Sequence, residues 1–334
     1  MTSVGLVLGA GGIVGQAYHA GVLAALEAEA GWDARTASVI VGSSAGAVTG
    51  TSLRMGLAGS DLAAVAAGTE LSLEGAKLLE QILPDSSDLP PLPPGSWLRP
   101  WRAPSTALLA RILRRPWAFR PGVAAMTLLP IGLVDLRQRG EALHQIVGDQ
   151  WPEGLWICAV RRTDGHRVVF GRPGSPPAAL ASAVLASCAI PSYFAPIEIG
   201  GVEYFDGGVH SPTNADVVRA RELDVVIVVS PMSANHPPGN APDGLLRWSA
   251  HRRLNRESRI LQHQGISVVR LEPGAATLEV MGFRPMANDR SDRVMEAAYW
   301  ETQRRIDLGN LGKRLGVDRT RPAGSTHGEA GVSV

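Results

Sequence analysis

Three short stretches carry the residue types that nucleophilic chemistry needs. In "VIVGSSAGAVTG" (39–50), Ser44 is the central serine of a G-x-S-x-G pattern, with Gly42 and Gly46 on either side. Small neighbours let a strand and a helix approach closely, so that the serine protrudes from a strained turn. A helix starting behind it aims its first N–H groups at the site, and the Ala45 amide then faces a developing oxyanion. The competing reading is a tight strand-to-helix connection in which Ser43, Ser44 and the glycines are only punctuation.

"GAGGIVG" (Gly9–Gly15) is the second stretch. As a dinucleotide site it fails twice. Val14 stands where G-x-G-x-x-G needs its third glycine, and the next strand ends in Ser43–Ser44 rather than in an acid. Gly9, Gly11 and Gly15 fit only a looser version of that pattern, and the alternatives are an oxyanion cradle made by the amides of Gly11, Gly12 and Ile13, or a turn that merely needs positive φ. The third stretch is "YFDGG" (204–208), with Asp206 at a strand end followed by Gly207 and Gly208. Asp-Gly is usually a turn. As a base, an aspartate of ordinary pKa, about 3.9, is poor; burial must raise it, or proton transfer must be concerted with attack. A Ser-His-Asp triad competes, with His210, His236, His251 or His263 as the third member. Against it, α/β-hydrolases place their serine after several strands, not after the second.

The elements around these stretches set their positions. "VGLVL" and "SVIVG" are continuous apolar runs of buried parallel strands. Each leads into a helical pattern, "QAYHAGVLAALEAEA" and a segment from Ala45 to about Met55. This order predicts a parallel sheet with helices on its faces. Later come strands in "LWICAV" and "HRVVF", a helix ending before Pro191, a hairpin turning at Gly200–Gly201, strands in "LDVVIVVS" and "ISVVRL", an Arg- and His-rich helix between them, and a closing helix from Ser291.

Between about 84 and 140 the pattern breaks. Residues 83–104 are proline-rich, and 89–134 hold six arginines and three tryptophans without one acid. "STALLARILRR" predicts a helix capped by Ser105, with Leu108, Leu109, Ile112 and Leu113 on one face. This insertion is expected to be a lid or peripheral membrane contact, or else an amphipathic helix packed on the core. Residues 1–318 read as one domain and 319–334 as a disordered tail. The net charge of +1 selects no nucleic acid. Cys158 and Cys188 lie in apolar runs and read as reduced core thiols. Without an export signal or an apolar run of about 18 residues, the expected location is cytoplasmic.

Taken together, "GLVLGAGGIVGQAYHAGVLAALE", "VGSSAGA" and "ASCAIPSYFAPIEIGGVEYFDGGV" resemble the patatin-like phospholipase family in kind and order. The resemblance implies a three-layer α/β/α fold with a mostly parallel sheet, and a Ser44–Asp206 dyad without histidine. It implies an oxyanion hole at Gly11, Gly12 and Ile13, and hydrolysis of fatty-acyl esters through an acyl-serine, with neither metal nor cofactor. Acyl transfer through the same intermediate, or lipid binding with weak catalysis, are the variants it leaves open. The family's loop commonly carries Arg or Lys before its last glycine; here that position is Val14.

Overall fold

The computed structural model describes residues 2–82, 106–114, 120–126, 150–237 and 242–309, with shorter pieces at 117, 132, 134–136, 141, 143–145, 147–148 and 315. The 319–334 tail, Ser105 and the whole proline-rich stretch lie outside the described residues. The strands are β1 (Val4–Leu8), β2 (Val39–Gly42), β3 (Leu155–Arg161), β4 (Arg167–Phe170), β5 (Ile197–Ile199), β6 (Val202–Asp206), β7 (Val225–Val229) and β8 (Ser267–Leu271). The helices are α1 (Gly12–Ala30), α2 (Ala45–Arg54), α3 (Gly59–Ala67), α4 (Leu73–Ile82), α5 (Thr106–Arg114), α6 (Pro121–Met126), α7 (Leu180–Cys188), α8 (Gly244–Gln262), α9 (Ala275–Met281) and α10 (Ser291–Gly309).

All eight strands form one sheet, with hydrogen-bonded neighbours in the order β5-β6-β3-β2-β1-β7-β8 and β4 also on β3. The pairs from β3 through β8 are parallel, while β4 and β6 run antiparallel to β3. Alternating side chains divide the core between two faces. Leu6, Leu8 and Ile40 pack on one side with Tyr18 and Leu23 of α1 and Val294 and Ala298 of α10. Val7, Val41 and Val228 pack on the other with Leu254 and Leu261 of α8. The molecule is therefore an α/β/α sandwich, as the sequence predicts.

The pairing at β3 fixes the site. β4 pairs with Ile157 through Val160. That span overlaps both the β2 pairing at Ile157 and the β6 pairing at Ala159. β2 and β6 must therefore share the opposite edge of β3, where they point at one another end to end with Cys158 between them. The turn after β2 and the turn after β6 meet in that gap.

Two expectations are corrected. α1 begins at Gly12, not Gln16, because the Gly15 N–H closes onto the Gly11 carbonyl at 2.9 Å and the Val14 N–H onto the Pro285 carbonyl at 3.1 Å. In α5, Leu108 and Ile112 are buried in the main core whereas Leu113 is exposed, so the expected apolar face divides. Gly165, in the β3–β4 turn, lies against Leu108 and Val123 and joins the described part of the insertion to the sheet. Both cysteines are free, and burial pushes the Cys158 thiol up to about 12. No described helix is long and apolar enough to cross a membrane.

Candidate active site

β2 ends at Gly42, and the chain turns through Ser43 and Ser44 into α2. Ser44 adopts φ 53°, ψ −119°, outside the regions open to L-residues. Such a conformation costs about 1–3 kcal/mol and persists only where surroundings impose it. Here they do. A Cβ on Gly46 would run into the Leu8 carbonyl oxygen, so only glycine lets α2 sit this close to β1. The Ser43 N–H donates to that same Leu8 carbonyl at 3.1 Å. The Ser44 N–H donates to Ser187 Oγ at 2.9 Å, and that hydroxyl donates to the Cys158 carbonyl at 2.7 Å. Ser187 thus ties the turn to the point on β3 where the two strand ends meet.

From the other side, β6 ends at Asp206, and Gly207 opens a 3-10 turn, Gly207–Val209. Asp206 Oδ1 accepts the Gly208 N–H at 2.7 Å. The carboxyl is buried, and this desolvation raises its pKa to about 6 even though hydrogen bonds from the Ser44 side chain and the Gly208 N–H pull it down. The structure brings Ser44 and Asp206 together although they stand 162 positions apart in sequence (206 − 44).

The glycine loop closes the third side. The Gly9 N–H donates to the Val229 carbonyl at 2.9 Å and the Ala10 N–H to the Pro212 carbonyl at 2.7 Å. Gly12 has φ 63°, a conformation open to glycine, and opens α1. Ala10 packs beside Gly208, and Gly15 beside Ala45, so this loop touches both turns. Among the described residues the N–H groups of Gly11, Gly12, Ile13 and Ala45 find no acceptor, while those of Gly46 and Ala47 close onto Ser43 and Ser44. The free amides stand at the N-termini of α1 and α2, where helix dipoles favour negative charge. Val14 is buried in the core, a place without room for a solvated cation.

The four candidate histidines lie elsewhere. His210 Nδ1 is 3.2 Å from Asn214 Oδ1, and burial together with Arg167 and Arg120 lowers its pKa to about 3, leaving it neutral. His251 pairs with Glu272 and Asn255, and His236 and His263 are exposed.

Asn214 is the side chain joining the two turns that the sequence patterns miss. It is fully buried in a left-handed conformation, φ 54°. Its Nδ2 donates to Ser43 Oγ at 2.9 Å, to the Gly207 carbonyl at 3.2 Å and to the Ser211 carbonyl at 2.7 Å. One amide thereby joins the serine turn to the aspartate turn. Arg167 Nη1 donates to its Oδ1 at 3.1 Å while gripping both Asp216 oxygens at 2.6 and 2.8 Å. Glu257, buried and with its pKa raised by desolvation, accepts from Thr213 and Ala215 on either side of Asn214. The only local hint is an Asn at the head of a short helical turn, "TNAD", which alone reads as an ordinary cap.

A mostly parallel sheet between helix layers, with a strained serine turn at its carboxyl edge faced by a buried acid, is the arrangement of a class of α/β proteins. The chain belongs to the patatin-like phospholipase family, whose model matches residues 6–219, a family of generally hydrolytic lipases and phospholipases. No curated protein matches it in sequence. Among solved structures, VipD from Legionella pneumophila aligns with a TM-score of 0.40 at 13% identity, over 92% of this chain and 67% of VipD. The ExoU–SpcU complex from the type III secretion system of Pseudomonas aeruginosa aligns with a TM-score of 0.35 at 20% identity, over 95% of this chain and 52% of that one. The chain thus spans about half the length of the ExoU chain it matches.

Proposed function

We propose that this protein is a serine acyl hydrolase that cleaves fatty-acyl esters through a Ser44–Asp206 dyad. The observation that carries the reading is the buried Asp206 carboxyl, hydrogen-bonded with the Ser44 side chain and raised to about 6. That value answers the objection that an ordinary aspartate is too weak a base, because a carboxylate of pKa about 6 is ionised at neutral pH and closer to the proton it must take.

Ser44 Oγ attacks the ester carbonyl carbon while its proton passes to Asp206. Negative charge develops on the former carbonyl oxygen. The amides of Gly11, Gly12, Ile13 and Ala45 are the donors available to hold it, fixed in place before reaction. Collapse expels the alcohol, which takes the proton from Asp206 and leaves an acyl-serine. Water, deprotonated by Asp206, then releases the fatty acid and restores the hydroxyl.

The experiment is labelling with a fluorophosphonate, followed by turnover of p-nitrophenyl esters of increasing chain length. Stoichiometric labelling at Ser44 and turnover that both vanish in Ser44→Ala are the expected results. A labelled site elsewhere, or turnover that survives in Ser44→Ala, overturns the reading.

A further inference from the structure

The rim of the glycine loop is built from two segments that no motif marks. Pro231, after β7, packs on Gly11 and Gly15, and Pro285 and Met286, after α9, pack on Gly12. Arg247 on α8 clamps both segments. Its Nη1 donates to the Pro231 carbonyl at 2.8 Å, its Nη2 to the Gly282 carbonyl at 3.4 Å and its Nε to Asp243 at 2.6 Å. The first turns of α8 and the turn at Phe283 are thus pinned side by side next to the free amides.

What they turn outward is apolar. Leu245, Leu246, Trp248 and Phe283 are 77%, 67%, 41% and 60% exposed. Such large side chains grouped at a site mouth are unusual on a soluble surface and mark a contact. The stripe continues along α8 as charge. Arg252, Arg256 and Arg259 are exposed and follow Leu245 and Trp248 at helical spacing, while Leu254, Glu257, Ser258 and Leu261 face inward. Arg252 lies over the Trp248 ring, 4.8 Å from its centre. The one acid within α8, Glu257, is buried, and Asp243 just before it is paired with Arg247. The outward face therefore combines aliphatic and indole side chains with arginines that have no ion-pair partner among the described residues, the composition that seats a helix at an anionic lipid interface.

We propose that the exposed stripe of α8 together with Phe283 is the surface by which this protein docks on an anionic lipid bilayer, placing the mouth of the Ser44 site against it. This deepens the acyl-hydrolase reading and rests on it for its purpose, but not for its test. Arg247 is a structural clamp in this scheme, and the lipid contacts fall to Leu245, Leu246, Trp248, Phe283, Arg252, Arg256 and Arg259.

The test is co-sedimentation of the full chain carrying Ser44→Ala with vesicles of phosphatidylcholine alone or with phosphatidylglycerol added, so that nothing is hydrolysed during the measurement. Partitioning is expected only with phosphatidylglycerol, and to weaken as salt rises. Replacing Arg252, Arg256 and Arg259 by Gln should lower the partition coefficient roughly 100-fold, at about fivefold per arginine. Replacing Leu245, Leu246 and Phe283 by Ser and Trp248 by Ala should lower it at least about tenfold. Each variant must keep the melting midpoint of Ser44→Ala, and a single exposed change, Trp248→Ala, serves if the multiple ones do not fold. Three outcomes overturn the proposal: no binding to either vesicle, binding that survives both sets of changes, or binding lost instead on changing Leu113 and Trp117 of the insertion. A dimer in sedimentation equilibrium that these changes abolish assigns the face to a second copy and also overturns it. The ester assay on the unaltered chain decides the hydrolase reading separately, so failure of one is not failure of the other.

Discussion

The two arms of the site are held by different means. The serine arm is fixed mainly by backbone: a strained Ser44, a glycine at 46 where nothing larger fits, and the Ser43 amide on the Leu8 carbonyl, with the Ser187 hydroxyl taking the Ser44 amide. The aspartate arm adds a chain of side chains to its backbone pairing on β3: Asn214 holding Gly207, Arg167 holding Asn214, Asp216 holding Arg167. A backbone-fixed group keeps its place unless the fold changes. A group held through side chains can be loosened one atom at a time, and it can be titrated. The contrast teaches where the site is rigid and where it is adjustable.

The most severe break is at the nucleophile. Ser44→Ala should leave the fold intact and lower ester turnover at least about 10³-fold, since nothing replaces the acyl acceptor. Asp206→Asn should cost nearly as much in kcat, and in the unaltered protein kcat/KM should fall as pH drops through about 6, where the carboxylate is lost. The sign for stability is the reverse. A carboxyl whose folded pKa is raised from 3.8 to about 6 favours folding at low pH, and that contribution is lost as pH rises across this window. Asp206→Asn should therefore raise the melting midpoint at pH 8 more than at pH 4. A profile without a limb near 6, or a midpoint difference that does not grow with pH, would remove Asp206 as the base.

Loosening the aspartate arm is the next test. Asn214→Ala strips the Ser43 hydroxyl and two buried carbonyls of their donor, at about 1–3 kcal/mol of stability. It should also lower kcat about 10- to 100-fold with little change in KM, because the two turns lose their shared strut. If stability falls but kcat does not, Asn214 is structural alone. The smallest effect should come from His210→Ala, within about threefold in kcat/KM, because that ring is neutral and turned to Asn214. A loss as large as that of Asp206→Asn, with the fold kept, would replace the dyad by a triad.

The same contrast explains what could be seen in advance. The succession of buried strands and helices and the Ser44 turn were legible, because apolar runs report buried parallel strands and glycine spacing reports a backbone constraint. Ser44 and Asp206 could each be singled out from neighbours within a few residues. Asn214 could not, because its partners Arg167 and Ser43 lie far away in sequence and no local pattern encodes their meeting. The start of α1 was set four residues too late for a similar reason: the Val14 amide in its first turn is capped by Pro285, far away in sequence. α8 was legible as an Arg-rich helix, but which arginines face outward depends on the sheet beneath it.

Because β2 and β6 abut along one edge of β3, β3 acts as a ruler for a reaction in which none of its own residues takes part. Gly42, which leads into the serine turn, is registered on Ile157 and Asp206 on Ala159, two residues further along β3. A slip of one residue there would move one mark by about 3.3 Å and turn its side chain to the opposite face. The long segment between β2 and β3 has no such grip on the spacing. Beyond α2, the helices described there can lengthen, shorten or change composition while the two marks stay the same distance apart.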